Sequence, residues 1–253
     1  MRLLTQARDL RRRRAREERG LFVAEGVRAV EELLRSRLPV RGVLVAPQLA
    51  GAQRGAALQA RLATSGVEVL EVSERDFASA ADTESPQGVL ALADVPVRAL
   101  PEPVAGATVR VVVLDAVQDP GNVGAIIRTA AALGANATVA LPGTVDLWNA
   151  KVVRAAMGAQ FHHLALAATL DELRAWAARH GVPLWGADGS GTPVARGDAP
   201  PARVALCMGN EGAGLTDATR AACARLVAIP VTDQVESLNV AVATGILLQL
   251  VRP

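Results

Sequence analysis

Aromatic residues are scarce in this sequence, which has no tyrosine, three phenylalanines and three tryptophans among 253 residues. Proteins that read single-stranded RNA on an open sheet stack the bases on aromatic side chains. The scarcity argues against such a stacking platform. Any nucleic acid bound here would be held through its phosphates and its shape.

Cysteine and long apolar runs are scarce as well. Cys207 and Cys223 form neither a metal-binding spacing nor a disulfide framework, so we predict no metal site and a reducing, cytoplasmic setting. The longest late run without charge, 237–251, is too short for a bilayer and is interrupted by Asn239 and Gln249. We therefore expect no membrane segment and no signal peptide.

The charge is small overall but unevenly spread. Residues 1–20 hold eight arginines against three acidic residues, a net charge of +5, whereas the whole chain has a net charge of +2. A basic arm of this kind is a plausible contact for a polyanion. A solvated, partly frayed helix explains the same residues equally well, and both interpretations stay open.

Half of the chain is apolar (51%), which excludes a disordered protein and predicts a folded α/β chain in two domains. Residues 1–95 form the first domain, in which 21–38 is predicted as an amphipathic helix. A proline-rich linker covers 96–107, and 108–253 form the second domain. There, strands alternate with helices, a pattern typical of a parallel sheet. The predicted strands are 109–114, 137–141, 161–166, 182–187, 203–208 and 226–229.

The stretch from 109 to 135 has the pattern of a strand, a loop and a helix. The apolar run 109–114 suits a buried strand, and it stops at Asp115. Pro120 and Gly121 break the chain, and helical periodicity runs over 122–133. Polar groups are thus left at the carboxyl end of the strand, where open α/β sheets hold ligands. Arg128, a charged residue on this helix, is either solvated or functional.

Two later segments repeat this pattern. In 204–215, VALCMGNEGAGL, an apolar strand leads into a glycine-bearing loop around Asn210 and Glu211. In 228–250, a loop follows Ile229, and Ser237 is a good N-cap for an apolar helix with Asn239 in its first turn. Each polar residue alone is readily explained as a turn, a cap or a buried hydrogen-bonding group. Together they are three loops aimed at one edge of a sheet.

These segments resemble a known family. In order and spacing they are similar to the three motifs of the SpoU (TrmH-like) RNA 2′-O-ribose methyltransferases of the SPOUT superfamily. The resemblance covers the whole chain. The motif segments are DPGNVGAIIR (119–128), GNEGAGL (209–215) and IP…ESLNV (229–240), and further similar segments are FVAEG (22–26), SPQG (85–88), KVVR (151–154) and MGAQF (157–161).

The resemblance implies properties that the pattern alone does not predict. They are a deep trefoil knot in the second domain, S-adenosylmethionine bound in the knotted loops, and a homodimer with the site at its interface. The first domain is then similar to the family's ribosomal-protein-like RNA-binding domain. Ala156 departs from the family, in which many relatives have serine, and any hydroxyl contact there is lost.

The resemblance also implies the site residues. The catalytic set is Asn122, Arg128, Glu211, Ser237 and Asn239, and the cofactor-binding set is Met208, Gly209, Asn210, Gly212, Ile229 and Leu238. The family's arginine is held to activate the ribose hydroxyl. A guanidinium with a pKa above about 12 is a poor general base. We therefore favour Arg128 as the donor that stabilises the developing alkoxide.

Two other functions are compatible with parts of the pattern. A nicotinamide-dependent oxidoreductase would need a G-x-G-x-x-G loop and an acidic residue after the next strand, and the segment around Gly121 and Gly124 has neither. A catalytically silent RNA-binding protein on the same fold is the remaining alternative. The two-domain layout favours ribosomal over transfer RNA as substrate by analogy, and the methylated nucleotide is left open.

Overall fold

The computed structural model describes residues 2–194, 199–232 and 234–252. The chain folds into two compact units, of which the first comprises 1–97 with 148–162 and the second comprises 98–147 with 163–253. The helices are α1 Arg2–Asp9, α2 Arg13–Arg19, α3 Val27–Arg35, α4 Gln53–Ala63, α5 Glu74–Ala80, α6 Pro120–Ala132, α7 Ala150–Ala155, α8 Leu170–His180, α9 Asp217–Ala222 and α10 Val240–Leu250. The strands are β1 Leu21–Glu25, β2 Val40–Val45, β3 Val69–Glu71, β4 Val89–Asp94, β5 Val109–Leu114, β6 Ala137–Ala140, β7 Ala165–Ala167, β8 Leu184–Pro193, β9 Arg203–Met208 and β10 Arg225–Ala228.

Each unit is built on its own sheet. The first has the strand order β1-β4-β2-β3, in which β4 runs antiparallel to both neighbours. The second has the order β10-β8-β9-β5-β6-β7, and its neighbouring strands all pair in parallel. The predicted α/β fold with a parallel sheet in the second half is confirmed. Within the described residues, no helix is long and apolar enough to span a membrane.

The predicted helix over 21–38 is wrong in its first part. Residues 21–25 form β1, which pairs with β4 from Leu21 opposite Asp94 to Glu25 opposite Leu90. Gly26, with φ of 99°, separates this strand from α3. An apolar run such as Leu21 to Ala24 fits a buried strand as well as one face of a helix, and only the pairing with β4 decides between them.

The basic arm forms two packed helices rather than a frayed one. Leu3, Ala7 and Leu10 are buried in the cluster that includes Phe77 and Leu90. Arg16 is 5% exposed, and its Nη1 donates to the Leu10 carbonyl at 2.7 Å. The buried side of the arm therefore has a structural role, while its outer side keeps the basic surface that the sequence predicts.

Segment 148–162 packs within the first unit. Phe22 of β1 lies with its ring centroid 4.5 Å from that of Trp148 and 5.7 Å from that of Phe161. Nη1 of Arg154 is 3.3 Å from Oδ2 of Asp82. Four segments that carry part of the family resemblance thus lie in one unit. Ala156 is fully buried just after α7.

A buried titratable group lies near the amino ends of β6 and β7 in the second unit. His163 is 6% exposed, and its Nε2 lies 2.9 Å from Oγ1 of Thr138. Burial, with a smaller contribution from the charge of Arg98, lowers the pKa of His163 to about 4. Its imidazole is therefore neutral at pH 7.

Candidate active site

Three loops leave the carboxyl ends of β5, β9 and β10 in the second unit. The first leads into α6, which begins at Pro120, two residues before the predicted start. Asp119 is its N-cap, and its Oδ1 accepts from the backbone N of Asn122 at 2.7 Å. Proline is favoured at a first helical position, because its missing N–H has no partner there in any helix.

Asn239, and not Ser237, caps α10. The Oδ1 of Asn239 accepts from the backbone N of Ala241 at 2.9 Å and of Val242 at 3.3 Å, and the helix begins at Val240. The predicted cap at Ser237 is wrong because the helix starts later than the apolar pattern indicates, and asparagine caps a helix as well as serine does.

The cap fixes the direction of a hydrogen-bonded chain. Because Oδ1 of Asn239 already accepts from the helix, its Nδ2 is the atom that donates to Oδ1 of Asn122, at 2.9 Å. Asn122 must then present its own Nδ2 to Oε1 of Glu211, at 3.0 Å. Three of the predicted catalytic residues are thus joined, one from each loop, in the order Asn239, Asn122, Glu211.

The carboxylate of Glu211 also lies near two backbone N–H donors. The backbone N atoms of Gln118 and Asp119 lie 3.5 and 3.4 Å from its carboxylate oxygens. Burial alone would raise the pKa of Glu211, but the hydrogen bond from Asn122 and the backbone donors outweigh it and lower the pKa. The carboxylate is therefore ionised at neutral pH and acts as the acceptor at the end of the chain.

The loop from Gly209 to Gly214 is closed on itself. Asn210 and Gly214 exchange backbone hydrogen bonds of 2.9 and 3.0 Å. A Cβ at Gly209 would collide with the backbone of Gly214 and Leu215, so glycine is required there. Nδ2 of Asn210 also donates to the carbonyl of Ala116 at 2.9 Å, while its Oδ1 accepts from the backbone of Gly212 and Ala213.

Arg128 and Ser237 lie outside this hydrogen-bonded set. Both are exposed, and neither side chain has a hydrogen bond or an ion pair in the part of the chain that the structure describes. For Arg128 this exposure fits both interpretations left open by the sequence. Of the predicted cofactor residues outside the closed loop, Met208 is buried, whereas Ile229 and Leu238 are partly exposed.

Asp115 and Thr216 form a further contact between two of these loops, and the sequence interpretation assigned neither residue to the site. Asp115 follows β5 and is 2% exposed, and one carboxylate oxygen accepts from the backbone N of Thr216 at 2.7 Å. A signal was present, because an acidic residue that ends a buried strand needs hydrogen-bond donors. The sequence alone gives no indication that Thr216 supplies them.

The loops offer backbone groups, amide side chains and partly exposed apolar residues. Segments 208–216 and 227–240 contain no lysine or arginine, so neither supplies a side-chain cation for phosphate. The described residues also contain no group of three or more histidines, cysteines or acidic residues that could hold a metal ion. This donor set can hold a nucleoside through hydrogen bonds and apolar contacts, as the adenosine part of S-adenosylmethionine requires.

Two known families match parts of this chain. The SpoU rRNA Methylase family matches residues 109–249, and the MRM3-like substrate binding domain matches residues 3–91. The first match contains all three loops described above.

Individual relatives extend the similarity over the whole chain. The 23S rRNA (guanosine(2553)-2′-O)-methyltransferase RlmP of Bacillus subtilis is 36% identical over 250 residues, which are 96% of this chain and 93% of the relative. The SpoU methyltransferase AviRb of Streptomyces viridochromogenes, solved with its cofactor AdoMet, is 28% identical with a TM-score of 0.87, covering 98% of this chain and 96% of AviRb. An RNA methyltransferase of the TrmH family from Porphyromonas gingivalis is 32% identical with a TM-score of 0.81 over 98% of this chain and 96% of its own. The chain therefore belongs to the SpoU rRNA methylase family of S-adenosylmethionine-dependent RNA ribose 2′-O-methyltransferases.

Proposed function

We propose that the chain transfers a methyl group from S-adenosylmethionine to the 2′-hydroxyl of a guanosine ribose in 23S ribosomal RNA. The observation that carries the proposal is the series of hydrogen bonds from Asn239 to Asn122 and from Asn122 to Glu211. These hydrogen bonds join the three motif loops at one edge of the sheet. The substrate is supported by relatives named as 23S rRNA guanosine-2′-O-methyltransferases in Bacillus subtilis and Neisseria meningitidis. Since that substrate is ribosomal RNA, we place the reaction in the cytoplasm.

We propose that the loops after β9 and β10 hold the cofactor. The residues are Met208, Gly209, Asn210, Gly212, Ile229 and Leu238. The closed loop at Gly209 brings backbone groups within reach of a ligand, and Ile229 and Leu238 offer apolar surface for an adenosine. When bound, S-adenosylmethionine supplies the methyl group as an electrophilic sulfonium. We propose that the chain threads through these loops in a deep trefoil knot, as the family resemblance implies.

The catalytic set has two parts. Glu211, Asn122 and Asn239 are fixed by one another and position the ribose, with Ser237 beside them in the third loop. Arg128 donates to the 2′-oxygen as negative charge develops there, because an arginine cannot accept the proton at neutral pH but stabilises the alkoxide. The guanidinium of Arg128 is exposed and has no partner among the described residues, which is compatible with this role, and the family resemblance supports it.

We propose that a second copy of the chain covers α10. The sequence of α10, VAVATGILLQL, contains no charge, and a helix without a polar face is usually buried on all sides. Val242 on this helix is 52% exposed, and Val231 and Val235 in the preceding loop are 44% and 50% exposed. A homodimer through α10 would remove this apolar surface from water and place the third loop at the interface.

We assign residues 1–95 to RNA binding, 96–107 to a linker and 108–253 to methyl transfer. The match of residues 3–91 to a substrate binding domain supports the first assignment. The arm offers its phosphate contacts through Arg11 to Arg14, which are all exposed and of which the last three pair with acidic residues of the arm itself. Arg8 instead bonds to Asp76 on α5, and Arg16 is buried. The low aromatic content fits binding through phosphates and shape.

Methyl transfer from labelled S-adenosylmethionine tests the proposed function. The RNA is total RNA from a strain that lacks the gene, and the modified residue is then mapped in 23S rRNA and in tRNA. We expect one ribose-methylated guanosine in 23S rRNA. Label in tRNA would contradict the substrate, and RNA binding without any transfer would favour the catalytically silent alternative.

A further inference from the structure

Asp115 links the two ends of the segment 208–216. Its backbone N donates to the carbonyl of Met208 at 2.8 Å, where β9 ends. Its Oδ2 accepts from the backbone N of Thr216 at 2.7 Å, and its Oδ1 lies 3.3 Å from the Thr216 hydroxyl oxygen. Thr216 is the N-cap of α9. One residue therefore fixes the point where the closed loop leaves the sheet and the point where it enters the next helix.

The cost of burying Asp115 indicates a specific role. A carboxyl group that is 2% exposed loses its hydration, and this loss must be offset by hydrogen bonds. Among the described residues, the backbone N and the hydroxyl of Thr216 donate the two hydrogen bonds that its side chain accepts. Ala116, the next residue, has a positive φ of 56° and offers its carbonyl to Asn210 at 2.9 Å. Backbone strain in a residue other than glycine persists where the surroundings hold it in place.

The conformation of the closed loop at 209–214 depends on these contacts because its own residues are small. Residues 209–214 are GNEGAG, in which only Asn210 and Glu211 have side chains that reach other elements. A loop that binds a ligand through backbone groups gains affinity when those groups are already in position, since less ordering occurs on binding.

We propose that Asp115 and Thr216 are positioning residues for the cofactor loop and set the affinity for S-adenosylmethionine without contacting it. The inference rests on the proposed function, which assigns residues 208–214 to the cofactor.

Substitutions at both residues test the role, and Asp115→Ala leaves the Thr216 cap of α9 in place. Thr216→Val keeps the backbone donor and removes the hydroxyl, Thr216→Ser restores the hydroxyl, and Asp115→Ala removes both contacts. Thr138→Val is the control at another threonine of the second unit, because the hydroxyl of Thr138 bonds to His163 and not to Asp115. The Kd for S-adenosylmethionine is measured by calorimetry and the amide exchange of 209–214 in the ligand-free chain by mass spectrometry.

We expect Thr216→Val to raise the Kd about tenfold and Asp115→Ala about a hundredfold, with faster exchange of 209–214 in both. The activity loss should lie mainly in KM for the cofactor, and Thr216→Ser should regain most of the affinity. Unchanged Kd and exchange in Thr216→Val and Asp115→Ala would overturn the inference, as would an equal rise of Kd in Thr138→Val. If the unsubstituted chain binds no S-adenosylmethionine, the proposed function fails, and faster exchange in the variants would still support the positioning role.

Discussion

The predicted catalytic residues divide into two sets that differ in how the chain holds them. Hydrogen bonds join Asn239 to Asn122 and Asn122 to Glu211, and the cap of α10 fixes which atom donates in each. Arg128 and Ser237 are exposed and have no such contacts among the described residues. The hydrogen bonds therefore fix three of the predicted catalytic residues relative to one another and leave Arg128 and Ser237 unconstrained by side-chain contacts among the described residues.

The arginines of the first unit differ in which elements they contact and in how exposed they are. Arg8 donates to Asp76 and Ser79 on α5, and Arg16 is buried against the end of α1. Arg12 and Arg14 keep 73% and 88% of their side-chain surface exposed, although each also meets an acidic neighbour. Exposed ion pairs are worth little, so a phosphate can replace the acidic partner.

Arg128 should give the largest effect. Arg128→Ala is expected to lower the single-turnover rate at saturating RNA and cofactor by a factor on the order of a hundred or more, because a transition-state donor is lost. The Tm and the cofactor Kd should not change. Arg128→Lys should recover part of the rate. Arg174→Ala, another exposed arginine of the second unit, is the control, and a normal rate in Arg128→Ala would assign this residue to the solvated surface.

A substitution at Val242 tests whether a second copy of the chain packs against α10. Val242→Glu should raise the dimer Kd by on the order of a hundredfold or more, because a charge is then buried at the proposed interface. Sedimentation over a concentration series measures the shift. Val69→Glu, at an exposed valine of the first unit, should leave the dimer intact. A monomeric unsubstituted chain would refute the proposed interface.

His163 makes the stability of the second unit depend on pH through a group that lies outside the predicted site. Its folded pKa of about 4 lies below the ordinary value of 6.5, so the unfolded chain binds more protons between these values. The free energy of unfolding should therefore fall as the pH drops from 6.5 to 4, by up to about 3 kcal/mol from this group. Denaturant unfolding across this range measures it. His163→Gln should flatten the decline, and an equally steep decline in this variant would contradict the assignment.

Asn239 allows its two functions to be separated. Asn239→Asp keeps an acceptor for the helix cap but cannot donate to Asn122, so the rate should fall about tenfold with little change in Tm. Asn239→Ala loses both and should also lower the free energy of unfolding by about 1 kcal/mol. The methyl-transfer rate and the denaturant midpoint of both variants are the measurements. Equal rates in Asn239→Asp and the unsubstituted chain would show that the link to Asn122 is dispensable.

The arginines give the smallest effect per residue. Replacing Arg11 to Arg14 by glutamine should reduce the slope of log K against log salt by about 3, since each phosphate contact contributes about 0.7 to 0.9. Filter binding at several salt concentrations measures the slope. Substitution is preferable to deletion of 1–95, which would uncover Trp148 and Phe161. An unchanged slope would place the RNA contacts elsewhere on the first unit.

The sequence predicted the parallel sheet and the three loops because buried strands and helices have distinct periodicities. It also predicted that Asn122, Glu211 and Asn239 share one edge. It missed β1, because the run at Leu21 has no periodicity of its own, and it placed the cap of α10 at Ser237 because two good caps lie close together. The partnership of Asp115 with Thr216 spans 101 residues and depends on strand pairing, which local patterns do not contain.

Crystal structures of the chain with and without S-adenosylmethionine test the division between the two sets most directly. We predict that the cofactor contacts Met208, Gly209, Ile229 and Leu238. Segment 208–216 should superpose in the two crystals, with the hydrogen bonds from Asn239 to Asn122 and from Asn122 to Glu211 intact, while Ile229 and Leu238 lose exposed surface to the ligand. A cofactor bound elsewhere, or a segment 208–216 that forms its contacts to Asp115 only when the ligand is present, would contradict the account.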